Sequence, residues 1–408
     1  MISRPFLVLY AAVFVATLGI SMVSPLLPVY AEDLGATGVW IGLTFSVFAV
    51  TWTLFGPLVG RLSDRHGRKF FIIGGLLLYF AAALGYLTAD SFIQVMGFRA
   101  LSGIGTALIF AVAKAYIAEM VPEGHEGRWF GVFATADIIG FGSGPLIAGL
   151  IRQGIGFDAV FVAMALLMAS SAVIVMVFLP RKPPRTGPAG VSVEEEDEKD
   201  TPLLVAAKDR LVGALTLHQA FFSLSWGSTL SFLAVRLEGD LGVGPALVGL
   251  TFGMENLATG IAQPLMGRVV DRGHRVGLAA GGLAATAVCV ASIGFAGDLW
   301  IVMALMMLLG ATSALAQVAA SALQVVAGRR VGLGAVIGLG NAGSGIGILV
   351  GSILGGLFVD LFAVEAAFFF GGAVMAIGAP PFIFLTRNMS LDEEAQMLMA
   401  EPSPSPEA

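Results

Sequence analysis

Residues 41–68, IGLTFSVFAVTWTLFGPLVGRLSDRHGR, return at 248–275 as VGLTFGMENLATGIAQPLMGRVVDRGHR. The copies align without a gap. Eleven positions are identical: Gly42, Leu43, Thr44, Phe45, Pro57, Leu58, Gly60, Arg61, Asp64, Arg65 and Arg68 each match the residue 207 further on. Both copies are long apolar runs that end in a short basic hairpin. A duplication of this kind predicts two similar halves, and in membrane proteins built this way the substrate site lies where the halves meet.

The composition excludes a water-soluble body. The 408 residues are 57% hydrophobic and 12% charged, with a mean hydropathy of +0.89, whereas soluble domains carry roughly 25% charged residues. Glycine, at 54 residues, suits membrane helices that pack closely. The single Cys289 lies in an apolar segment, which leaves no intrachain disulfide and no cysteine metal site. The net charge of -6 resides largely in one linker and the tail, so it says little about partners. No basic patch interleaved with aromatics points to nucleic acid. No His/Glu cluster has metal-ligand spacing and no serine sits in a nucleophile elbow, so neither an enzyme nor a cofactor is expected.

A spanning helix needs about 20 mostly apolar residues, and twelve segments qualify: 6–30, 39–60, 70–88, 92–117, 129–151, 158–180, 211–235, 246–267, 276–297, 299–326, 332–359 and 364–385. Backbone amides in lipid must pair internally, so all twelve should be helical. The first is too long for a signal-peptide core and reads as a retained span. With the N-terminus in the cytosol, 18 of the 22 Lys and Arg fall in cytosolic segments; Arg152 and Arg236 lie in external loops, and Arg99 and Lys114 lie inside the fourth span. That bias predicts both termini inside and an even number of spans. The expected organisation is a bundle over 1–180, a cytoplasmic linker over 181–210 with the acidic run EEEDE and a short amphipathic stretch, a second bundle over 211–386, and an acidic, disordered cytoplasmic tail over 387–408.

Four motifs carry a family resemblance. The first hairpin reads Gly60-Arg-Leu-Ser-Asp64-Arg65-His-Gly67-Arg68-Lys69. The fourth span carries Arg99-Ala-Leu-Ser-Gly103-Ile-Gly105. The fifth carries Gly140-Phe-Gly-Ser-Gly144-Pro145-Leu-Ile-Ala-Gly149. The first carries Leu18-Gly19 followed by Pro25 and Pro28. In this order they resemble the major facilitator superfamily, and within it the twelve-helix drug:proton antiporters and tetracycline-type exporters. The stretch Ala115-Tyr116-Ile-Ala-Glu119 leading to Arg128 is similar to the same exporters. The resemblance implies an all-α membrane protein of two pseudo-symmetric six-helix bundles in the cell membrane, working by alternating access as a monomer. Two departures stand out: His274 occupies the place of Gly67 in the second hairpin, so that turn must differ, and the first span lacks the acidic residue that some proton-coupled exporters place there.

The hairpin residues have a physical reading. Gly67 can take a positive φ, Gly60 permits close helix approach, and Asp64 can accept bonds from helix N-terminal amides. Arg65, Arg68 and Lys69 can pair with acids at helix ends, Glu119 among them. The resemblance implies a cytoplasmic gate built from Gly60, Asp64, Arg65, Gly67, Arg68 and Lys69, echoed by Gly267, Asp271 and Arg272. A plain topology signal is the alternative. The glycine ridge Gly140, Gly144, Pro145 and Gly149 lies in an apolar run with no strand before it, which fails the context of a phosphate loop. It reads as a helix-packing surface, and the resemblance places it at the contact between the halves.

Ionisable groups inside a membrane are costly and usually functional. Asp137 lies about eight residues into the fifth span and seven before Gly144, so the two face nearly the same way. Glu255 lies near the middle of the eighth span, with Asn256 beside it and Phe48 as its counterpart in the first copy. Both are candidates for proton coupling, since a carboxyl that alternates between charged and neutral forms is what an exchanger needs; a structural pair is the alternative for Asp137. The resemblance adds Arg99, whose plainer reading is a buried arginine bonded to carbonyls. Lys114 could snorkel, and Glu119 suits a hairpin partner better than a carrier. Polar stripes at helical spacing suggest the cavity: Thr17, Ser21 and Ser24; Gln317, Ser321 and Gln324; and Asn341. Phe222 and Trp226 beside them would suit an apolar substrate, while His218 reads as a core residue. The expected function is proton-coupled efflux of a small amphipathic compound, with protons and that compound as partners. An uptake symporter, a passive facilitator and a membrane sensor or scaffold stay open.

Overall fold

The computed structural model describes residues 4–121, 126–181, 203–387 and 389, and every regular element among them is helical. The first half comprises α1 (Arg4–Val23), α2 (Leu27–Asp33), α3 (Gly38–His66), α4 (Arg68–Leu87), α5 (Phe92–Ala118), α6 (Glu126–Gly154) and α7 (Phe157–Phe178). After the short α8 (Leu203–Ala206) come α9 (Arg210–Val235), α10 (Pro245–Arg272), α11 (Arg275–Phe295), α12 (Leu299–Val331), α13 (Leu333–Leu361) and α14 (Glu365–Thr386). A π-helical turn, Arg236–Asp240, continues α9. Eleven units, counting α1 with α2 as one, are long and apolar enough to cross a bilayer. The twelfth, α10, has 28 residues against 29 in its counterpart α3. It is the less apolar because Glu255, Asn256 and Gln263 interrupt it. Most of the acidic linker, with its EEEDE run, and nearly all of the tail fall outside the described residues; α8 occupies the place of the short amphipathic stretch.

Two sequence expectations need correction. Segment 6–30 is not one continuous helix. It breaks at residues 24–26, where Pro25 has no N–H to give and Pro28 enters the first turn of α2. Several helices also overrun their apolar stretches: 39–60 becomes Gly38–His66 and 246–267 becomes Pro245–Arg272. Backbone hydrogen bonding propagates along a helix whatever the side chains, so a helix does not stop where its apolar composition stops.

Burial follows the two-solvent logic of a membrane. On α7, Phe161, Met164, Met168, Ala172 and Val175 face the interior, while Val162, Leu166, Val173 and Val177 form an exposed apolar stripe. A helix apolar all round is one that meets protein on one side and lipid on the other. The first half has a core centred on Leu9, Tyr79, Tyr116 and Phe161, while the core centred on Phe232, Leu309 and Phe368 in the second half also takes in Val29, Ala31, Ala36 and Ile41 of the first.

The two cores are fastened by equivalent bonds from different residues. The Tyr30 hydroxyl donates to the carbonyls of Tyr86 (2.9 Å) and Ala89 (3.3 Å) at the end of α4. Arg236 does the same for Gly294 (3.0 Å) and Ala296 (2.9 Å) at the end of α11. Carbonyls at a helix end have no intrahelical partner, so both halves need a donor there.

Candidate functional site

The halves meet along two helix crossings, α3 with α13 and α6 with α10. The offset of 207 residues relates one crossing to the other. A β-carbon built on Gly42 would overlap the Ser352 carbonyl, and one on Gly249 would overlap the carbonyl of Pro145. One turn away, a β-carbon on Gly356 would overlap the Gly38 carbonyl, and one on Gly149 that of Pro245. The repeated glycines Gly42 and Gly249 are therefore the points where the two backbones touch, a contact only glycine allows.

The seam is shut at one end only. Moving toward the hairpins, the Ser46 hydroxyl donates to the Leu349 carbonyl at 2.9 Å. A β-carbon on Gly253 would lie 2.8 Å from the Gly142 carbonyl oxygen. The last glycine contacts across the seam are Thr53 with Gly345 and Ile138 with Gly260, and residues 53 and 260 are again equivalent positions. Beyond them, β-carbons on Gly56, Gly60 and Gly267 would meet nothing within 4 Å. From Gly38 to Thr53 the closed part runs about 22 Å along the helix; the rest opens toward the hairpins. The close approach expected at Gly60 is thus absent.

The hairpins lie at the open end, and the bonds seen for the first stay within its own half among the described residues. Gly67 adopts φ 94°, serving as the C-cap of α3 and the N-cap of α4. Arg68 pairs with Asp64 at 3.0 Å and with Glu119. Among the described residues Asp64 therefore meets a guanidinium and not the helix amides expected for it. Lys69 donates to the carbonyls of Met176 (2.8 Å) and Leu179 (2.6 Å), so it holds the end of α7. Arg65, Asp271 and Arg272 are exposed. The second turn does differ: Gly273 is extended, and the His274 imidazole accepts from the Gly277 amide at 2.9 Å.

The embedded charges occupy distinct settings. Asp137, half-buried on α6, accepts from the Thr17 hydroxyl at 3.1 Å, with Lys114 of α5 within electrostatic reach. Glu255 is 4% exposed and turns from the seam toward α12. It accepts from the Thr259 hydroxyl at 3.0 Å, and that hydroxyl lies 3.2 Å from the Gly310 carbonyl. Among the described residues Glu255 forms no ion pair. Arg99 is 2% exposed, with its guanidinium 4.4 Å from the centre of the Phe48 ring and 5.2 Å from that of Phe45. It lies against Tyr79 and Tyr86, and among the described residues it makes no hydrogen bond to a backbone carbonyl and its Nε has no partner.

The polar stripes and the glycine ridge divide between packing and seam. Gly140 and Gly144 face Thr17, Leu18 and Ser21 of α1 in their own half, while Pro145 and Gly149 meet the other half. Only part of the ridge therefore lies between the halves. Thr17 and Ser21 are buried in bonds to α6, Ser21 through the Gly140 carbonyl at 2.9 Å, and do not line a cavity; Ser24 falls in the break after α1. Phe222 and Trp226 pack partly against the second core. Asn256 stands at the seam beside Gly142. Gln317, Gln324 and Asn341 form no hydrogen bond among the described residues, and Asn341 is exposed. Sequence reasoning missed the bonds across the shut end, which involve Arg152, Gln153, Glu238 and Asp360. Gln153 and Asp360 stand one offset apart, which could have flagged them.

The comparisons with known proteins agree with this architecture. The family model for the Major Facilitator Superfamily matches residues 9–223 and 215–397. An uncharacterised MFS-type transporter of Methanocaldococcus jannaschii is 35% identical over 167 residues, 41% of this chain and 43% of that protein. The quinolone resistance protein NorA of Staphylococcus aureus is 30% identical over 186 residues, 45% of this chain and 48% of that protein. The chain thus spans under half the length of the curated relatives it matches. A bacterial homologue of the human lysosomal transporter Spinster, in an inward-facing and occupied conformation, superposes with a TM-score of 0.76 at 16% identity over 98% of both chains. With its family model matched over nearly the whole length and its two bundles related by one sequence offset, the chain belongs to the major facilitator superfamily.

Proposed function

We propose that the chain is a secondary transporter that exports a small amphipathic, drug-like compound in exchange for protons, by rocking two bundles about a site near the bilayer midplane. The observation that carries this reading is the seam, shut over one end and parted at the other. Rocking about such a seam exposes the space between the bundles to each side in turn. Two carboxylates lie on the helices that form the seam: Asp137 directly precedes Ile138, and Glu255 directly precedes Asn256, which stands beside Gly142. Each is a candidate proton carrier. The Lys/Arg bias supports hairpins and termini in the cytosol of a cell membrane, and in that orientation the parted end faces the cytosol, ready to load cargo. The name of the Staphylococcus relative supports a drug-like cargo, with quinolones the first class to try.

The test uses proteoliposomes loaded with a fluorescent quinolone and an imposed pH gradient. Gradient-driven flux in the parent protein is expected to vanish in both Asp137→Asn and Glu255→Gln, with expression and folding intact. Full transport by both variants would remove them as carriers. Flux that persists after the gradient is collapsed would identify a facilitator.

A further inference from the structure

We infer that Asp360, at the end of α13, is the clasp that holds the far end of the seam shut and so sets how readily the molecule turns over. The inference rests on the alternating-access reading above. The Asp360 carboxylate bridges the halves with three bonds to the start of α3. Its Oδ1 accepts from the Gly38 amide at 2.6 Å, and its Oδ2 accepts from the Val39 amide at 3.0 Å and the Thr37 hydroxyl at 3.0 Å. Thr37 itself makes no cap bond to α3, so Asp360 satisfies amides that would otherwise lack partners. The bonds are charge-assisted and sit at the positive end of a helix dipole.

The offset shows that this is a designed place and not a chance contact. Gln153, the equivalent of Asp360, accepts from the Ala246 amide at 3.3 Å, and Ala246 is the equivalent of Val39. Both bundles thus reach across with the side chain at the end of one helix to the first amides of another. The two clasps are unequal: a carboxylate with three donors on one side, a neutral amide with one on the other. Arg152 adds a third link, pairing with Glu238 on the π-helical turn while its guanidinium lies 4.0 Å from the centre of the Phe157 ring. Opening the far end must break all three, and the Asp360 clasp makes the most hydrogen bonds of them. It stands at the opposite end of the same helix pair, α3 and α13, from Asp64.

The experiment reads opening directly, without a substrate. In a Cys289→Ser background, Ser46→Cys places a thiol in the shut part of the seam, where Ser46 is fully buried. A membrane-impermeant maleimide is applied from the side opposite the hairpins. Asp360→Ala, which removes all three bonds, is expected to raise the labelling rate at least about ten-fold, a shift in a two-state equilibrium that corresponds to about 1.4 kcal/mol. Asp360→Asn, which keeps the shape, should fall between, and Gln153→Ala should have a smaller effect. Gly42→Trp serves as a wedge that forces the crossing apart. If the wedge raises labelling and Asp360→Ala does not, the clasp is refuted and alternating access stands. If neither variant ever exposes the thiol from that side, alternating access itself fails and the clasp with it.

Discussion

Phe48 and Glu255 stand one offset apart, and so do Arg99 and Met306. The same helix crossing is built in both halves, with Gly103 packed on the Phe48 carbonyl and Gly310 on that of Glu255. Its chemistry differs: an arginine stacked on an aromatic in the first half, and in the second a carboxylate in place of the aromatic and a buried methionine in place of the arginine. Because methionine fills the equivalent place, Arg99→Met should leave thermal unfolding in detergent unchanged to within about 1 kcal/mol, since burying a charge without an acidic partner adds little stability. Arg99→Ala leaves a void and should cost roughly 2–5 kcal/mol. If Arg99→Met unfolds as readily as Arg99→Ala, the charge is structural. The sequence disclosed that these residues were embedded. It did not disclose what they touched, because Tyr79, Tyr86 and Phe48 come from other helices.

At the scale of the element, the two glycines of the first hairpin have opposite demands. Gly67 holds φ 94°, where a β-carbon is strained, whereas one at Gly60 meets open space. Gly67→Ala should lower stability by about 1–2 kcal/mol. Gly60→Ala should stabilise slightly, by a few tenths to about 1 kcal/mol, because the unfolded chain loses freedom. Thermal unfolding of the two variants side by side checks the contrast; equal losses would show that Gly60 touches something in the dominant state. The helix count, and the different second turn, were legible from apolar length and from His274 in place of Gly67. The break between α1 and α2 was signalled by Pro25 and Pro28, yet hydropathy smoothed over it. The ends of α3 and α10 were not legible, since their last turns are polar and are helical all the same.

For the whole molecule, the deepest contact offers a lock. Thr53→Cys with Gly345→Cys, in the Cys289→Ser background, would place two β-carbons about 3.2 Å apart, slightly inside the usual disulfide range of about 3.5–4.5 Å. Oxidation should fasten α3 to α13 and stop transport, and reduction should restore it. Undiminished transport by the oxidised protein would mean that the seam does not part during the cycle.

The duplication at 41–68 and 248–275 by itself determined that there are two halves of one design, that they live in lipid, and which end carries the hairpins. Those properties follow from local chemistry: apolar length, backbone self-satisfaction and charge placement. Only the tertiary structure decided which glycines face the partner bundle and which face their own, that Thr17 and Ser21 serve packing, and that the molecule rests with one end shut. Crossing geometry depends on how two distant helices rotate against each other, and a residue's sequence neighbours do not encode which surface lies opposite it.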